Sequence, residues 1–237
     1  MKWTLVTGGG RRLGGEICKT LAKNGYSILV HYRESESEAE TVVQACRDCG
    51  VKAEMFQADF SSMEGVGLLI EKIRKNGYRI ENLINNVGNF SELSTLNTPV
   101  ELWLNLFQTN LHAPFALISE LIASIKSYQG SIINIGTAGV MDIRADRKCN
   151  AYMLTKRSLY ALTKSLAKEL ARDGVRVNMI SPGILMNSVS IPSDLESFGL
   201  ARTGELEEVC RVLLFLLNKE SEYITGQNIE VSGGYAL

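Results

Sequence analysis

Trp3-Thr4-Leu5-Val6-Thr7-Gly8-Gly9-Gly10-Arg11-Arg12-Leu13-Gly14-Gly15 opens the chain with an apolar run and a glycine cluster, and Ile17, Leu21 and Ala22 continue it in a helical pattern. A strand, a glycine-rich turn and a helix in that order let backbone approach a pyrophosphate while the helix N-terminus offers unpaired amides and a positive dipole end. Outward from this stretch, β-branched and apolar runs alternate with longer amphipathic segments. The runs are Trp3 to Thr7, Ser27 to Tyr32, Val51 to Phe56, Asn82 to Asn85, Ser131 to Ile135, Val175 to Ile180 and Asn228 to Val231. The alternation predicts an α/β fold of roughly seven parallel strands, doubly wound, with helices on both faces. Ile132-Ile133-Asn134-Ile135 is too continuous for a half-exposed strand and suits a covered parallel sheet. Residues just after each run are where ligands are expected.

The second run ends in Tyr32-Arg33, where an acid would be expected to hold an unmodified adenosine ribose. Arg33, Arg11 and Arg12 instead offer guanidinium groups to a ribose phosphate, whose charge favours planar bidentate donors. NADP(H) is therefore the expected cofactor, with NADPH favoured over NADH.

Tyr152 and Lys156 stand four residues apart in Asn150-Ala151-Tyr152-Met153-Leu154-Thr155-Lys156, so on a helix they share a face. Bringing a phenol from ~10 to ~7 takes about 4 kcal/mol, and a lysine cation at ~4 Å in an effective dielectric of ~20 supplies about that. Tyr152 is thus a candidate acid, with Lys156 expected to lower its pKa.

The chain has 237 residues, is 45% hydrophobic and carries a formal net charge of −1, which suits one domain over 1–237 with a sizeable core. Charges of both signs are mixed along it, so neither nucleic acid nor a membrane surface is implied as a partner. No apolar stretch reaches the ~20 residues of a membrane span, and no signal segment precedes Trp3. A cytoplasmic protein is expected. Five cysteines at irregular spacings read as thiols, and Cys46 and Cys49 lack the further ligands a zinc site needs, so no metal is expected.

Taken together these residues resemble the short-chain dehydrogenase/reductase family over nearly the whole chain. Thr7-Gly8 with Gly14 matches its glycine motif, Asp59 in Ala58-Asp59-Phe60 its adenine contact, and Asn85-Asn86-Val87-Gly88 its Asn-Asn-Ala-Gly. Asn110 takes the place of the helix asparagine, Tyr152 and Lys156 match the catalytic pair, and Ser181-Pro182-Gly183, followed by Ile184, resembles the nicotinamide-side loop. The resemblance implies that Tyr152 protonates the substrate oxygen and that Lys156 binds the nicotinamide ribose. It also implies that Asn110 holds a water and that Thr137 bonds the substrate carbonyl where the family usually has serine.

Three departures stand out. Arg12 replaces a motif glycine, so the loop is expected to turn differently there. Thr137 lies fifteen residues before Tyr152, and Asp142, Arg144, Asp146, Arg147 and Lys148 between them suggest a protruding charged loop. The stretch from Asn187 to Arg202 is short, which predicts a reduced lid.

Two substrate readings compete. The glycine loop, His31-Tyr32-Arg33 and Phe90 resemble pteridine reductases, in which an aromatic residue at that place stacks a pterin. Thr137 instead suits a carbonyl, where those enzymes usually place an aspartate, and Tyr223-Ile224-Thr225-Gly226-Gln227 resembles 3-oxoacyl thioester reductases. A 3-oxoacyl or similar ketone, small or carrier-bound, is the favoured expectation, dihydropterin the alternative, and a sensor or scaffold without turnover the third. For an acyl carrier the available cations are Lys126, Arg172, Arg144, Arg147 and Lys148, a thin patch. Apolar residues around several faces of Val100 to Lys126, with the resemblance, imply a homo-oligomer, dimer or tetramer.

Overall fold

The computed structural model describes residues 1–143, 145, 148–195 and 199–235. All seven predicted runs form strands: β1 (Trp3–Val6), β2 (Ile28–Tyr32), β3 (Ala53–Gln57), β4 (Ile80–Asn85), β5 (Ser131–Ile135), β6 (Arg176–Pro182) and β7 (Asn228–Val231). They pair in parallel in the order β3-β2-β1-β4-β5-β6-β7. β1, β2 and β5 are buried at every position, as strands covered on both faces must be.

Helices α1 (Arg12–Lys23), α2 (Glu36–Asp48) and α7 (Leu206–Leu217) cover one face, packing Ile17, Leu21, Val42, Cys46, Leu213 and Leu216 onto Val30, Ile133 and Ile180. Helices α3 (Met63–Lys75), α5 (Ala113–Ser127) and α6 (Asn150–Leu170) cover the other, burying Leu69, Ile73, Leu117, Leu121 and Leu170 against Leu5, Leu83 and Val177. Helix α4 (Val100–Phe107) runs into α5 through a π turn at Gln108–His112. Pro114 causes part of this irregularity, since it has no N–H for the carbonyl four residues back, that of Asn110.

The chain leaves β1 towards β2 on one side and returns through β4 on the other. The crevice beyond the carboxyl ends of β1 and β4 is the topological switch point, where such sheets bind ligands. Among the described residues no helix is long and apolar enough to cross a membrane, and no group of three or more His, Cys, Asp or Glu side chains is placed to hold a metal ion.

Candidate active site

A cleft of about 900 Å³ occupies the switch point and runs from Arg11, Arg12 and Arg33 to Thr137, Tyr152 and Gly183. Its first wall is the glycine loop. Gly8 sits at φ +62°, and a Cβ on Gly14 would meet the Gly8 carbonyl oxygen at 2.0 Å, so loop and helix approach as only glycine allows. Arg11, which precedes helix α1, makes no side-chain cap, and the first turn of α1 carries no acid. Its first amides are therefore available to an anion, and this uncapped end fits a dinucleotide pyrophosphate. Arg12 holds φ +50°, the left-handed region that favours glycine.

The loop is tied down by residues whose roles were not evident in the sequence. His31 is buried in β2, where its Nδ1 accepts from the Gly8 amide at 3.0 Å and its Nε2 lies 3.1 Å from the Ala58 carbonyl oxygen. With Nδ1 an acceptor, the proton belongs on Nε2. Its ring stacks on Phe60, centroids 4.0 Å apart, and burial pushes its pKa down to about 4. A histidine in an otherwise apolar strand was the one available signal. Thr7 is also internal: its Oγ1 accepts from the amides of Asn86 and Val87 at 2.9 and 3.1 Å, so it braces the cleft without lining it. The Asn86 amide group donates to the carbonyls of Thr7 and Gly8.

At the ribose end, Tyr32 closes β2 and donates to Glu36 at 3.2 Å, while Arg33 pairs with Glu34 at 3.0 Å. Arg11, Arg12, Leu13, Tyr32, Arg33, Asp59 and Phe60 all line this part of the cleft. The Ser61 amide donates to Asp59 at 2.9 Å and, helped by Arg33, holds its carboxyl below the usual range.

At the far end Tyr152 and Thr137 face the cleft together, and a hydrogen bond from the Thr137 side chain favours the phenolate of Tyr152. The fifteen-residue separation therefore does not part them. Burial nevertheless pushes the phenol up to about 12, with Cys149 adding to the rise. This corrects the expected lowering towards neutrality. Lys156 explains the difference: its Nζ donates to the Ile135 carbonyl at 2.8 Å and lies 5.9 Å from the centre of the Tyr152 ring. Burial lowers Lys156 to about 8.

Asn110 is fully buried within the π turn. Its Oδ1 accepts from the Asn89 amide at 2.7 Å, and its Nδ2 donates to the Asn89 carbonyl at 2.9 Å and to Thr155 Oγ1 at 3.0 Å. A Cβ on Gly88 would lie 3.2 Å from Lys156 Nζ and 3.6 Å from Asn110 Oδ1, so Gly88 keeps the cleft floor open above both. Asn110, Lys156 and Pro182 thus sit behind the lining, whereas Gly88, Gly183 and Ile184 form it. Pro182 presents its carbonyl to the Ala138 amide at 2.9 Å, and Glu230, absent from the sequence reading, accepts from Gly139 N at 2.9 Å.

Phe90 lines the mouth, 41% exposed. Asn187, Ser188, Val189, Ser190 and Pro192 form the opposite rim, and the short lid is closed at its base by the bridge between Leu185 and Gly204. Of the cations considered for a carrier, Lys148 lines the cleft, and Lys126, in the last turn of α5, is paired with Asp173 at 2.8 Å and does not line it. Arg172 follows α6 at that same end. Arg144, Asp146 and Arg147 lie outside the described residues.

The family described as enoyl-(acyl carrier protein) reductase matches residues 10–236. This chain is a short-chain dehydrogenase/reductase. Among its relatives in that family, the 3-oxoacyl-acyl-carrier-protein reductase FabG of Staphylococcus epidermidis is 31% identical, with 98% of each chain covered. The FabG of Chlamydia pneumoniae is 32% identical over 98% of this chain and 96% of its own. Among solved structures, a blue fluorescent protein from a metagenomic library in complex with NADPH superposes with a TM-score of 0.92 at 27% identity, covering 100% and 98% of the two chains. Acetoin dehydrogenase YohF from Salmonella typhimurium gives 0.90 at 26%, covering 99% and 95%. The short-chain dehydrogenase/reductase described here is thus an oxidoreductase whose glycine loop, Tyr152-bearing helix and cleft meet at the carboxyl ends of the strands.

Proposed function

We propose that this protein is an NADPH-dependent carbonyl reductase, with a 3-oxoacyl thioester or similar ketone as substrate. The observation that carries the reading is the Thr137–Tyr152 pair facing the cleft: a neutral hydroxyl beside a phenol suits a carbonyl oxygen and offers no second acid for a ring nitrogen. The dinucleotide would lie with its pyrophosphate on Gly8, Gly14 and the start of α1, and with its ribose phosphate towards Arg11, Arg12 and Arg33. When bound, its dihydronicotinamide supplies the hydride. Tyr152, held protonated by burial, gives its proton to the oxygen as negative charge develops there. Thr137 then donates to the phenolate left behind. Lys156, kept behind the floor by Ile135, supplies the positive charge on that side, and Asn110 holds the floor through Asn89 and Thr155.

Side-by-side assays of NADPH oxidation with a 3-oxoacyl thioester and a dihydropterin test the substrate. Turnover of the thioester alone supports the Thr137 argument. Turnover of the pterin alone assigns the enzyme to the second reading, which the exposed Phe90 ring favours. An Arg12→Ala and Arg33→Ala double variant that keeps an unchanged preference for NADPH over NADH would remove the cofactor claim. Turnover left intact in Tyr152→Phe would show that Tyr152 is not the acid, and the sensor reading survives only if the wild-type protein reduces neither substrate. Val100, Leu104 and Phe115 on α4 and α5 are each more than half exposed, and a second copy of the chain covering them is the proposed reason. A monomer by light scattering would contradict it.

A further inference from the structure

Arg157 lines the cleft on the next turn of α6 after Tyr152, on a stripe shared with Cys149 and Met153 at intervals of four residues. At a rise of about 1.5 Å per residue it stands about 7–8 Å along the helix axis from the proposed acid. Its Nη2 donates to the backbone carbonyl of Asp142 in the loop that follows Thr137, and its Nε is buried without a hydrogen-bond partner. Among the described residues no carboxylate lies within ion-pair distance of it. A neutral carbonyl fixes the orientation of a guanidinium but leaves its charge in place, and a partly buried charge is costly until an anion completes it. Arg33, at the cofactor end, already has Glu34. Lys148 lines the same cleft and adds positive charge, and Glu92 is the acid on the Phe90 side.

We infer that Arg157 is a specificity-determining residue that receives an oxyanion of the substrate, a carboxylate or a phosphate, while the carbonyl sits at Tyr152. The inference rests on the carbonyl-reductase reading and narrows it: the preferred ketones carry negative charge. A free oxo acid brings its own carboxylate, and a thioester brings the phosphate of its carrier.

The test compares Arg157→Gln with the wild type on a free 3-oxo acid, its coenzyme A thioester and its uncharged N-acetylcysteamine thioester. The ratio of kcat/KM for a charged over the uncharged substrate should fall about 10- to 100-fold, the worth of one charge-assisted bidentate contact. Loss concentrated on the free acid assigns the carboxylate, and loss concentrated on the coenzyme A thioester assigns the phosphate. Equal loss on all three would make Arg157 a latch for the Asp142 loop and overturn the inference, as would no loss. Calorimetric binding of hexanoate and hexanamide gives a readout without turnover: Arg157→Gln should weaken hexanoate alone. If it does so while no ketone is reduced, the reductase reading fails and the anion site stands. If hexanoate binding is unchanged, the anion site fails whatever is reduced.

Discussion

The ring of Phe90 stands edge-on to the ring of Tyr152, centroids 5.0 Å apart and planes at 82°. One residue belongs to the loop after β4 and the other to α6, so the mouth of the cleft and the proposed acid are in direct contact. An edge-to-face pair is worth about 1 kcal/mol beyond burial. Phe90→Ala should lower kcat/KM about fivefold while leaving the Kd for NADPH unchanged. Steady-state kinetics with a fluorescence titration of cofactor check this, and unchanged kcat/KM would show that the contact does not orient Tyr152.

The raised phenol and the lowered lysine predict opposite pH behaviour in the two directions. Tyr152 keeps its proton up to about 12, so it can donate across the whole working range, whereas Lys156 loses its charge as pH rises through about 8. Reduction should be flat near neutrality and decline above that value, while oxidation of the corresponding alcohol, which needs the phenolate, should rise with pH. Tyr152→Phe should cost about 10³-fold in kcat. A reduction profile without a break between pH ~7 and ~9 would take Lys156 out of this role.

His31 couples stability to acid. Its folded pKa of about 4 lies below the ordinary 6.5, so as pH falls the unfolded chain takes up the proton first. The contribution is full above about 6.5 and is lost by about 4, a change of order 3 kcal/mol. Urea unfolding near neutrality and at pH ~4.5 should show the loss in the wild type and a smaller one in His31→Asn. In the folded protein His31 takes up its proton only around pH 4, and this removes the acceptor for the Gly8 amide, so cofactor affinity should fall only as pH approaches that value.

Arg12 pays for its place in the loop with a left-handed backbone, a conformation costing a non-glycine residue about 1 kcal/mol. Arg12→Gly should raise Tm by about 2–4 °C and reduce the preference for NADPH, while Arg12→Ala should reduce the preference without the gain in Tm. Equal melting temperatures for the two variants would contradict strain at this position.

The fold was legible because the central strands are parallel and covered, so their runs are continuously apolar, as in Ile132 to Ile135. Edges were less sharp: β3 spans Ala53–Gln57 where the run suggested Val51 to Phe56, since an edge strand has fewer buried positions to mark its ends. Residue types at Tyr152, Thr137 and the glycines announced the cleft. Their energetics did not, because the separation of Lys156 from Tyr152 depends on Ile135, a carbonyl supplied by a distant strand. The same holds for Thr7 and His31, whose side chains turn inward to the backbone of neighbouring segments. Arg157 was hidden because its significance lies in how few of the described charges reach it.

The π turn between α4 and α5 acts as a one-residue insertion in what is otherwise a continuous helical rod from Val100 to Ser127. Deleting one residue there would restore an unbroken α-helix in which the segments on either side keep their helical phase. The cost of such a deletion would fall inside the turn itself, where Thr109 and Asn110 are buried, whereas a point substitution at the exposed His112 should be easily borne.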